Sequence, residues 1–413
     1  MTTLDIDFVR SRFPAFAEPS LAGLGFFENA GGSYACQPVI DRLERFYRQT
    51  KVQPYYDFPA SREAGRQMDA ARQRLAAWLN VATEEVHFGP STTQNTYVLA
   101  QALRQHLKPG DEVIVTNQDH EANIGAWRRL AADGVVIHQW SVDPDSGELD
   151  PDDLDTWLGP RTRAVAFTQC SNVVASINPV RELTERIHAA GAIAIVDAVS
   201  YCPHGLPDLQ ELGADIYLFS LYKVYGPHLG VLFMRRALNA ELPNQGHFFN
   251  AGKPTARFTP AGPDHAQIAA TNGVIDYFEQ LHAHHFADAV PEVEQARRLQ
   301  RLFRAHETRL LQPLLDYLDA QPRVRLIGRR QAAERAPTVA FTVAGMASSV
   351  LATRLGEQDL AVGVGDFYAR RLVESLGFDI SEGVVRASLV HYTHEHEVTR
   401  LIEALDRLIR KRV

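Results

Sequence analysis

Several features that would assign a protein class are scarce or missing in this chain of 413 residues. Only three cysteines occur, and their odd number and irregular spacing exclude a disulfide framework and a cysteine zinc site. No apolar run approaches the length of a membrane span, and the first seven residues lack the basic and apolar regions of a signal peptide. We therefore expect a reduced, cytoplasmic protein without a metal, in which Cys36, Cys170 and Cys202 are small buried hydrophobic side chains.

The charge and the turn motifs exclude further classes. A net charge of −8 gives no indication of a nucleic-acid partner. No G-x-G-x-x-G turn follows the first predicted strand, which argues against a nucleotide-binding oxidoreductase. The composition is otherwise that of an ordinary globular protein, and the length predicts two domains.

Lysine is also rare, and one lysine stands in apolar surroundings. Only five of the 42 basic residues are lysines. Lys223 lies between the apolar runs Ile216–Phe219 and Val231–Phe233, both of which predict buried strands. Because a desolvated lysine can form a Schiff base and an arginine cannot, our hypothesis is that Lys223 binds pyridoxal phosphate covalently. The alternative is a lysine whose stem packs while its amine reaches water.

Short apolar segments alternate with helical segments from about residue 86 to residue 233. Strands rich in Val, Ile and Ala with helices between them are typical of an α/β fold with a mostly parallel sheet. The connection Leu221–Leu229 is too short for a helical crossover, so the strand after it should run antiparallel to its neighbour. We expect three parts: a helical segment packing on the small domain (1–20), a large cofactor-binding domain (21–275) and a small α+β domain (276–413).

Polar residues follow the ends of the predicted strands, where parallel sheets bind ligands. A phosphate would suit Thr92 and Thr93 at a helix N-terminus, although simple N-capping is the alternative. Asp197 ends a buried strand and needs a cation, which a protonated pyridine would supply; helix capping is again the alternative. The remaining polar residues at these ends are His120, Asn172, Ser200 and Ser220.

Five segments resemble, in order and spacing, motifs of the class V aminotransferases, most closely those of the cysteine desulfurase and selenocysteine lyase group. They are Thr92-Thr93, Asp119–Ile124, Ser171–Val173, Val196–Ala198 and Ser220–Pro227. The similarity spans almost the whole chain. It implies a pyridoxal-phosphate-dependent transferase fold of type I, with a seven-stranded sheet, and a homodimer whose active site lies near the subunit interface.

The resemblance also implies roles for individual residues. Lys223 would carry the cofactor, His120 would stack on its ring, and Asp197 would pair with the ring nitrogen. Arg386 would bind the carboxylate of an amino-acid substrate through a bidentate pair, with a salt bridge on the surface as the alternative. The other implied cofactor ligands are Thr92, Thr93, Asn172, Ser200, Ser220 and Tyr222, and the other implied substrate contacts are Gly31 and Tyr368.

Departures from the family pattern bear on the reaction. Ser200 replaces a common glutamine, Tyr222 replaces a histidine, and Gly262 stands where a partner subunit usually offers a threonine. Tyr368 stands where desulfurases carry their nucleophilic cysteine. Without that thiolate the persulfide route is closed, so we predict a desulfurase-like enzyme that is not a standard desulfurase.

Three reactions remain once the proton at the substrate α-carbon is removed, and Lys223 is the natural base. Elimination of a β-substituent, as in a carbon–sulfur lyase, is the first choice. Transamination and epimerisation follow, and a non-catalytic binding protein with the same fold is the alternative from another class. Tyr368 would either donate a proton to the leaving group or close the pocket by packing.

Overall fold

The computed structural model describes residues 2–260 and 262–410. Met1, Ala261 and residues 411–413 lie outside the described residues, and with them the outermost ends of the predicted segments 1–20 and 276–413.

The described residues form strands and helices that alternate through the first half of the chain. In chain order the strands are β1 (Gly25–Phe26), β2 (Val86–Gly89), β3 (Glu112–Thr116), β4 (Val136–Trp140), β5 (Thr162–Thr168), β6 (Ile193–Asp197), β7 (Ile216–Ser220), β8 (Gly230–Met234), β9 (Val324–Ile327), β10 (Thr338–Val343), β11 (Leu360–Ala361), β12 (Gly363–Gly365) and β13 (Val384–Ser388). The helices are α1 (Ile6–Arg10), α2 (Gln37–Gln49), α3 (Pro59–Trp78), α4 (Thr92–His106), α5 (Gly125–Arg128), α6 (Pro151–Asp155), α7 (Val180–Ala189), α8 (Leu209–Leu212), α9 (Arg236–Glu241), α10 (His265–His285), α11 (Glu292–Asp319), α12 (Ser348–Gly356), α13 (Arg370–Ser375) and α14 (Glu395–Arg410).

A seven-stranded sheet in the order β2-β8-β7-β6-β5-β3-β4 forms the centre of the molecule. The neighbours from β7 to β4 pair in parallel, whereas β8 is antiparallel to both β7 and β2. The predicted α/β class, the seven strands and the antiparallel direction of β8 are therefore confirmed. Since β8 alone runs the other way, the carboxyl ends of the other six strands meet at one edge.

A smaller antiparallel sheet, β12-β13-β10-β9, lies in the C-terminal part. Its strand β13 carries Arg386, which is opposite Gly363 of β12. The short parallel pair of β1 with β11 and a bridge between Glu28 and Ser388 join the N-terminal region to this part. The chain after β1 is thereby held beside Arg386.

The predicted division into three parts stays a prediction. The proposed boundary between residues 275 and 276 falls inside α10, which is continuous from His265 to His285. The N-terminal segment contacts residues beyond that boundary: Phe8 stacks on His284 at 3.8 Å, and Arg10 forms a salt bridge of 3.0 Å with Glu397. Among the described helices none has the length and apolar character needed to span a bilayer.

Candidate active site

A cavity of about 320 Å³ opens at the carboxyl edge of the large sheet. All nine of the predicted cofactor ligands line it, although they come from five different strand ends. They are Thr92, Thr93, His120, Asn172, Asp197, Ser200, Ser220, Tyr222 and Lys223. The predicted substrate contacts Gly31, Tyr368 and Arg386 are not part of its lining.

One end of the cavity is formed by the N-terminus of α4. Ser91 caps the helix by accepting a hydrogen bond from the N–H of Gln94, and the N–H groups of Thr92 and Thr93, which line the cavity, belong to the first turn and have no helical partners. The hydroxyls of Thr92 and Ser220 lie 2.7 Å apart. Gly230 of β8 makes this approach possible, because a Cβ there would lie 2.4 Å from the carbonyl carbon of Ser91. The arrangement suits a phosphate.

Lys223 lies at the other side of the cavity, in a single turn of 3-10 helix that follows β7. The residue is only 7% exposed. Burial, and after it the positive charge of Arg386, lower the pKa of its amine to about 8, and the charge of Asp197 opposes the shift. A lysine with this pKa can act as a nucleophile or a base near neutral pH.

His120, which is partly buried, and Asp197, which is buried, line the cavity together with Lys223. Burial, and after it the charges of Lys223 and Arg386, lower the pKa of His120 to about 4, so the ring is neutral and suits stacking on an aromatic cofactor. Its Nδ1 accepts a hydrogen bond of 3.0 Å from the N–H of Ala122. Burial raises the pKa of Asp197 to about 6, and a cationic partner would lower it again. Its carboxylate also accepts a bond from the N–H of Val199, so the local capping interaction considered above is present too.

Arg386 is buried and is already paired. Both carboxylate oxygens of Glu28 accept hydrogen bonds from its Nη2, at 2.7 and 2.9 Å. Its Nη1 donates to the carbonyl oxygen of Asn172, which connects it to the cavity. Gly31 donates its N–H to the same Glu28 carboxylate. A surface salt bridge, the alternative for Arg386, does not describe a residue that is 2% exposed.

Tyr368 lies outside the cavity on a constrained loop. Phe367 and Tyr368 both have positive φ angles of 52° and 58°, which side chains other than glycine rarely adopt. The ring of Tyr368 is 73% exposed and lies 5.2 Å from that of His120. The carbonyl of Phe367 accepts a bond of 2.9 Å from the amide of Asn172. The loop thus contacts two of the cavity residues, Asn172 and His120.

Some cavity residues were missed by the sequence reasoning. His228 lines the cavity and stacks on Tyr222 at 4.7 Å. Its position in the short connection between Lys223 and β8 could have indicated that it lies near the lysine. Cys170 follows β5 and lines the cavity, but burial raises the pKa of its thiol to about 12. The others are Ser91, Ala122, Thr168 and Val199. Glu28, beside the cavity, was also missed, because nothing in the sequence connects it with Arg386. Metal-binding groups of three or more His, Cys, Asp or Glu residues are absent from residues 2–260 and 262–410.

The profile of the family described as Aminotransferase class-V matches residues 25–401. The chain belongs to this family. It is 36% identical over 419 residues to the aminotransferase-like protein FGM3 of Gibberella zeae, with 99% of each chain covered. It is 32% identical over 421 residues to a cysteine desulfurase of Serratia proteamaculans, with 98% of each covered. The apo structure of a cysteine desulfurase from Thermococcus onnurineus NA1 has the same fold, with a TM-score of 0.86 at 23% identity, covering 99% of this chain and 100% of that one.

Membership of this family makes the chain a pyridoxal-phosphate-dependent enzyme of the cysteine desulfurase-like kind, as predicted. The residues of the cavity fit the cofactor. The free N–H groups of α4 suit its phosphate, and the buried carboxylate of Asp197 suits its ring nitrogen. The side-chain oxygen of Asn172 is buried without a hydrogen-bond partner among the described residues, as expected of a polar group that awaits a ligand.

Proposed function

We propose that this class V aminotransferase acts on an amino acid by β-elimination, in the manner of a carbon–sulfur lyase. Lys223 would hold the cofactor, with His120, Asp197 and Asn172 around the ring. Bound pyridoxal phosphate supplies an electron sink that acidifies the bonds at the substrate α-carbon. The observation that carries the proposal is a buried lysine of lowered pKa in a cavity that offers no thiolate.

Lys223 would take the proton from the α-carbon. A pKa near 8 leaves a useful fraction of the amine unprotonated at neutral pH, and burial keeps water from competing. As the α-proton leaves, the bond from the β-carbon to its substituent breaks, and the electron pair departs with the leaving group. The enamine released from the enzyme then hydrolyses to pyruvate and ammonia.

The state of the cysteines favours elimination over persulfide chemistry. All three thiols are buried, and burial raises the pKa of each. Cys170 is the one that lines the cavity, but a thiol of pKa about 12 is almost fully protonated and is a poor nucleophile. Tyr368 lies next to His120 but is mostly exposed, so it would bound the open side of the site by packing.

A homodimer with the active site near the subunit interface is part of the proposal. Five aromatic residues on two segments of the chain are each more than 40% exposed, and exposed aromatic side chains of this kind mark protein contacts. They are Tyr55, Tyr56, Phe58, Phe248 and Phe249. The second segment lies beside α4, since Gln245 donates to Gln105 near the end of that helix.

A panel of amino acids tests the reaction. Purified holoenzyme is incubated with L-cysteine, β-chloro-L-alanine, L-alanine and L-serine, and pyruvate, ammonia, sulfide, keto acids and optical rotation are measured. Elimination predicts pyruvate and ammonia in equal amounts from substrates with a β-leaving group only. A keto acid with conversion of the cofactor to its pyridoxamine form would indicate transamination, and loss of optical rotation would indicate epimerisation.

Three variants make the test specific. Lys223→Ala should abolish turnover and the yellow colour, whereas Lys253→Ala, which changes a lysine outside the cavity, should leave both unchanged. Cys170→Ser should keep at least half of the pyruvate-forming rate. Sulfide release that depends on Cys170 and passes through a protein-bound persulfide would contradict the proposal, and a colourless protein that binds no cofactor would refute it entirely.

A further inference from the structure

The buried pair of Glu28 and Arg386 occupies the position proposed for substrate binding. The side chain of Arg386 is 3% exposed and that of Glu28 is 28% exposed, so the carboxylate has a path to solvent and the guanidinium has none. Both oxygens of Glu28 lie on Nη2 of Arg386, at 2.7 and 2.9 Å. A carboxylate therefore already stands where the substrate carboxylate would bind.

The surrounding backbone makes room for this carboxylate. A Cβ on Gly363 would lie 2.6 Å from Oε1 of Glu28, and one on Gly31 would lie 3.1 Å from the same oxygen. Gly31 also donates its N–H to Oε2, at 3.1 Å. The ring of Phe367 covers the guanidinium at 3.8 Å. Two glycines, which leave space, and one backbone N–H donor thus form a binding site for a carboxylate next to Arg386.

The pair uses only part of the guanidinium. A carboxylate bound in the strongest geometry contacts two nitrogens of an arginine through parallel hydrogen bonds. Glu28 contacts Nη2 alone, Nη1 donates to the carbonyl of Asn172, and Nε has no partner among the described residues. A substrate carboxylate that reached two nitrogens would form the better pair. The contact with Glu28 is therefore replaceable.

We propose that Glu28 is a specificity-determining residue, whose carboxylate must be displaced from Arg386 before the α-carboxylate of a substrate can bind. This inference rests on the proposed function, in which Arg386 binds that carboxylate. Exchange of one carboxylate for another keeps the buried charge balanced, since an unpaired buried arginine is costly. The same exchange leaves little net electrostatic gain, because the incoming carboxylate only replaces that of Glu28. Anions that make a single contact with Arg386 therefore do not displace Glu28.

The test compares a ligand that has a carboxylate with one that lacks it. Wild-type and Glu28→Gln holoenzymes are titrated with L-alanine and with ethylamine, and the cofactor absorbance gives each Kd. The amide keeps the size of Glu28 but not its charge. We expect the Kd of L-alanine to fall about tenfold, as for loss of one competing charge-assisted hydrogen bond. The Kd of ethylamine should change less than twofold.

A second variant perturbs the same contact from the other side. Gly363→Ala places a methyl group 2.6 Å from Oε1 of Glu28 and 2.8 Å from the ring of Phe367. By moving the Glu28 carboxylate off Arg386 it should reproduce the selective gain, which keeps the inference testable if Glu28→Gln folds poorly. Glu148→Gln is the matched control, because Glu148 forms a two-oxygen pair with Arg329 at 2.6 and 2.8 Å outside the cavity. It should change neither Kd.

The outcomes separate this inference from the proposed function. A coloured holoenzyme in which Glu28→Gln leaves the ratio of the two Kd values unchanged, or weakens L-alanine binding, would overturn the role of Glu28 alone. Such a result would mean that Glu28 only orients Arg386. A protein that binds no cofactor would overturn the proposed function, and the inference with it.

Discussion

The reactivity of Lys223 gives a prediction with a definite magnitude. With a pKa of about 8, about one amine in eleven is unprotonated at pH 7, whereas an ordinary lysine with a pKa near 10.5 has about one in 3,000. At pH 7 the unprotonated fraction of Lys223 should therefore be about 300-fold larger than that of an unperturbed lysine, and the apoenzyme should add pyridoxal phosphate faster for this reason. Its rate of addition should rise with pH and level off above an apparent pKa of about 8.

The assay is stopped-flow absorbance of cofactor addition to apoenzyme between pH 6 and pH 10. Nα-acetyl-lysine in the same buffers corrects for the titration of the cofactor itself. Two variants give shifts of opposite sign. Arg386→Met removes a nearby positive charge, so the apparent pKa of Lys223 should rise; Asp197→Asn removes a negative charge, so it should fall.

The reasoning is refuted by an apparent pKa at or above 10 in the wild-type protein. It is also refuted if Arg386→Met lowers the value, because burial and the charge of Arg386 are the two causes given for the shift.

Two further predictions concern the cofactor cradle and the subunit interface. Gly230→Ala should lower the free energy of unfolding by about 1–3 kcal/mol and weaken cofactor binding, because the new methyl group would lie 2.4 Å from the backbone of Ser91. Urea denaturation and cofactor titration measure this, and Gly252→Ala, where the methyl group would meet nothing within 4 Å, should match the wild type. The double variant Phe248→Ser, Phe249→Ser should shift the protein towards monomer in sedimentation velocity, and an unchanged dimer would contradict the proposed interface.

The positions of the cavity residues were predictable because the sheet is parallel. Alternating strands and helices bring the carboxyl ends of β2, β3, β5, β6 and β7 to one edge, whatever the details of the loops. Residues such as His120 and Asp197, which are 77 positions apart in the sequence, therefore share one cavity. The alternation of predicted strands and helices, and the positions where the strands end, were sufficient to infer that these residues lie together.

Contacts between side chains of distant loops were not predictable in the same way. Glu28 and Arg386 are 358 residues apart, and their pairing depends on the bridge between Glu28 and Ser388 and on the register of β12 with β13. The hydrophobic pattern of a single sequence does not predict which residues of two distant strands pair. A single sequence shows that an arginine is present but not which carboxylate it meets.

Loop conformation limited the interpretation of Tyr368 and Cys170. Phe367 and Tyr368 have positive φ angles, and the tyrosine ring is turned outwards. In a sequence such angles are usually indicated by glycine, so nothing at these two positions predicted them. Cys170 was correctly expected to be buried, but the turn after β5 also brings it to the cavity wall. Cys170 is both buried and in contact with the cavity, because the cavity lies at the edge of the sheet that also buries this residue.

The most direct test of the central claim is to locate the covalent attachment of the cofactor. Holoenzyme is reduced with borohydride and digested, and the peptides are analysed by mass spectrometry. The account predicts that the phosphopyridoxyl group is found on Lys223, in a peptide that spans β7 and the turn after it. Attachment to Lys51, Lys108 or Lys253, or no attachment at all, would contradict it.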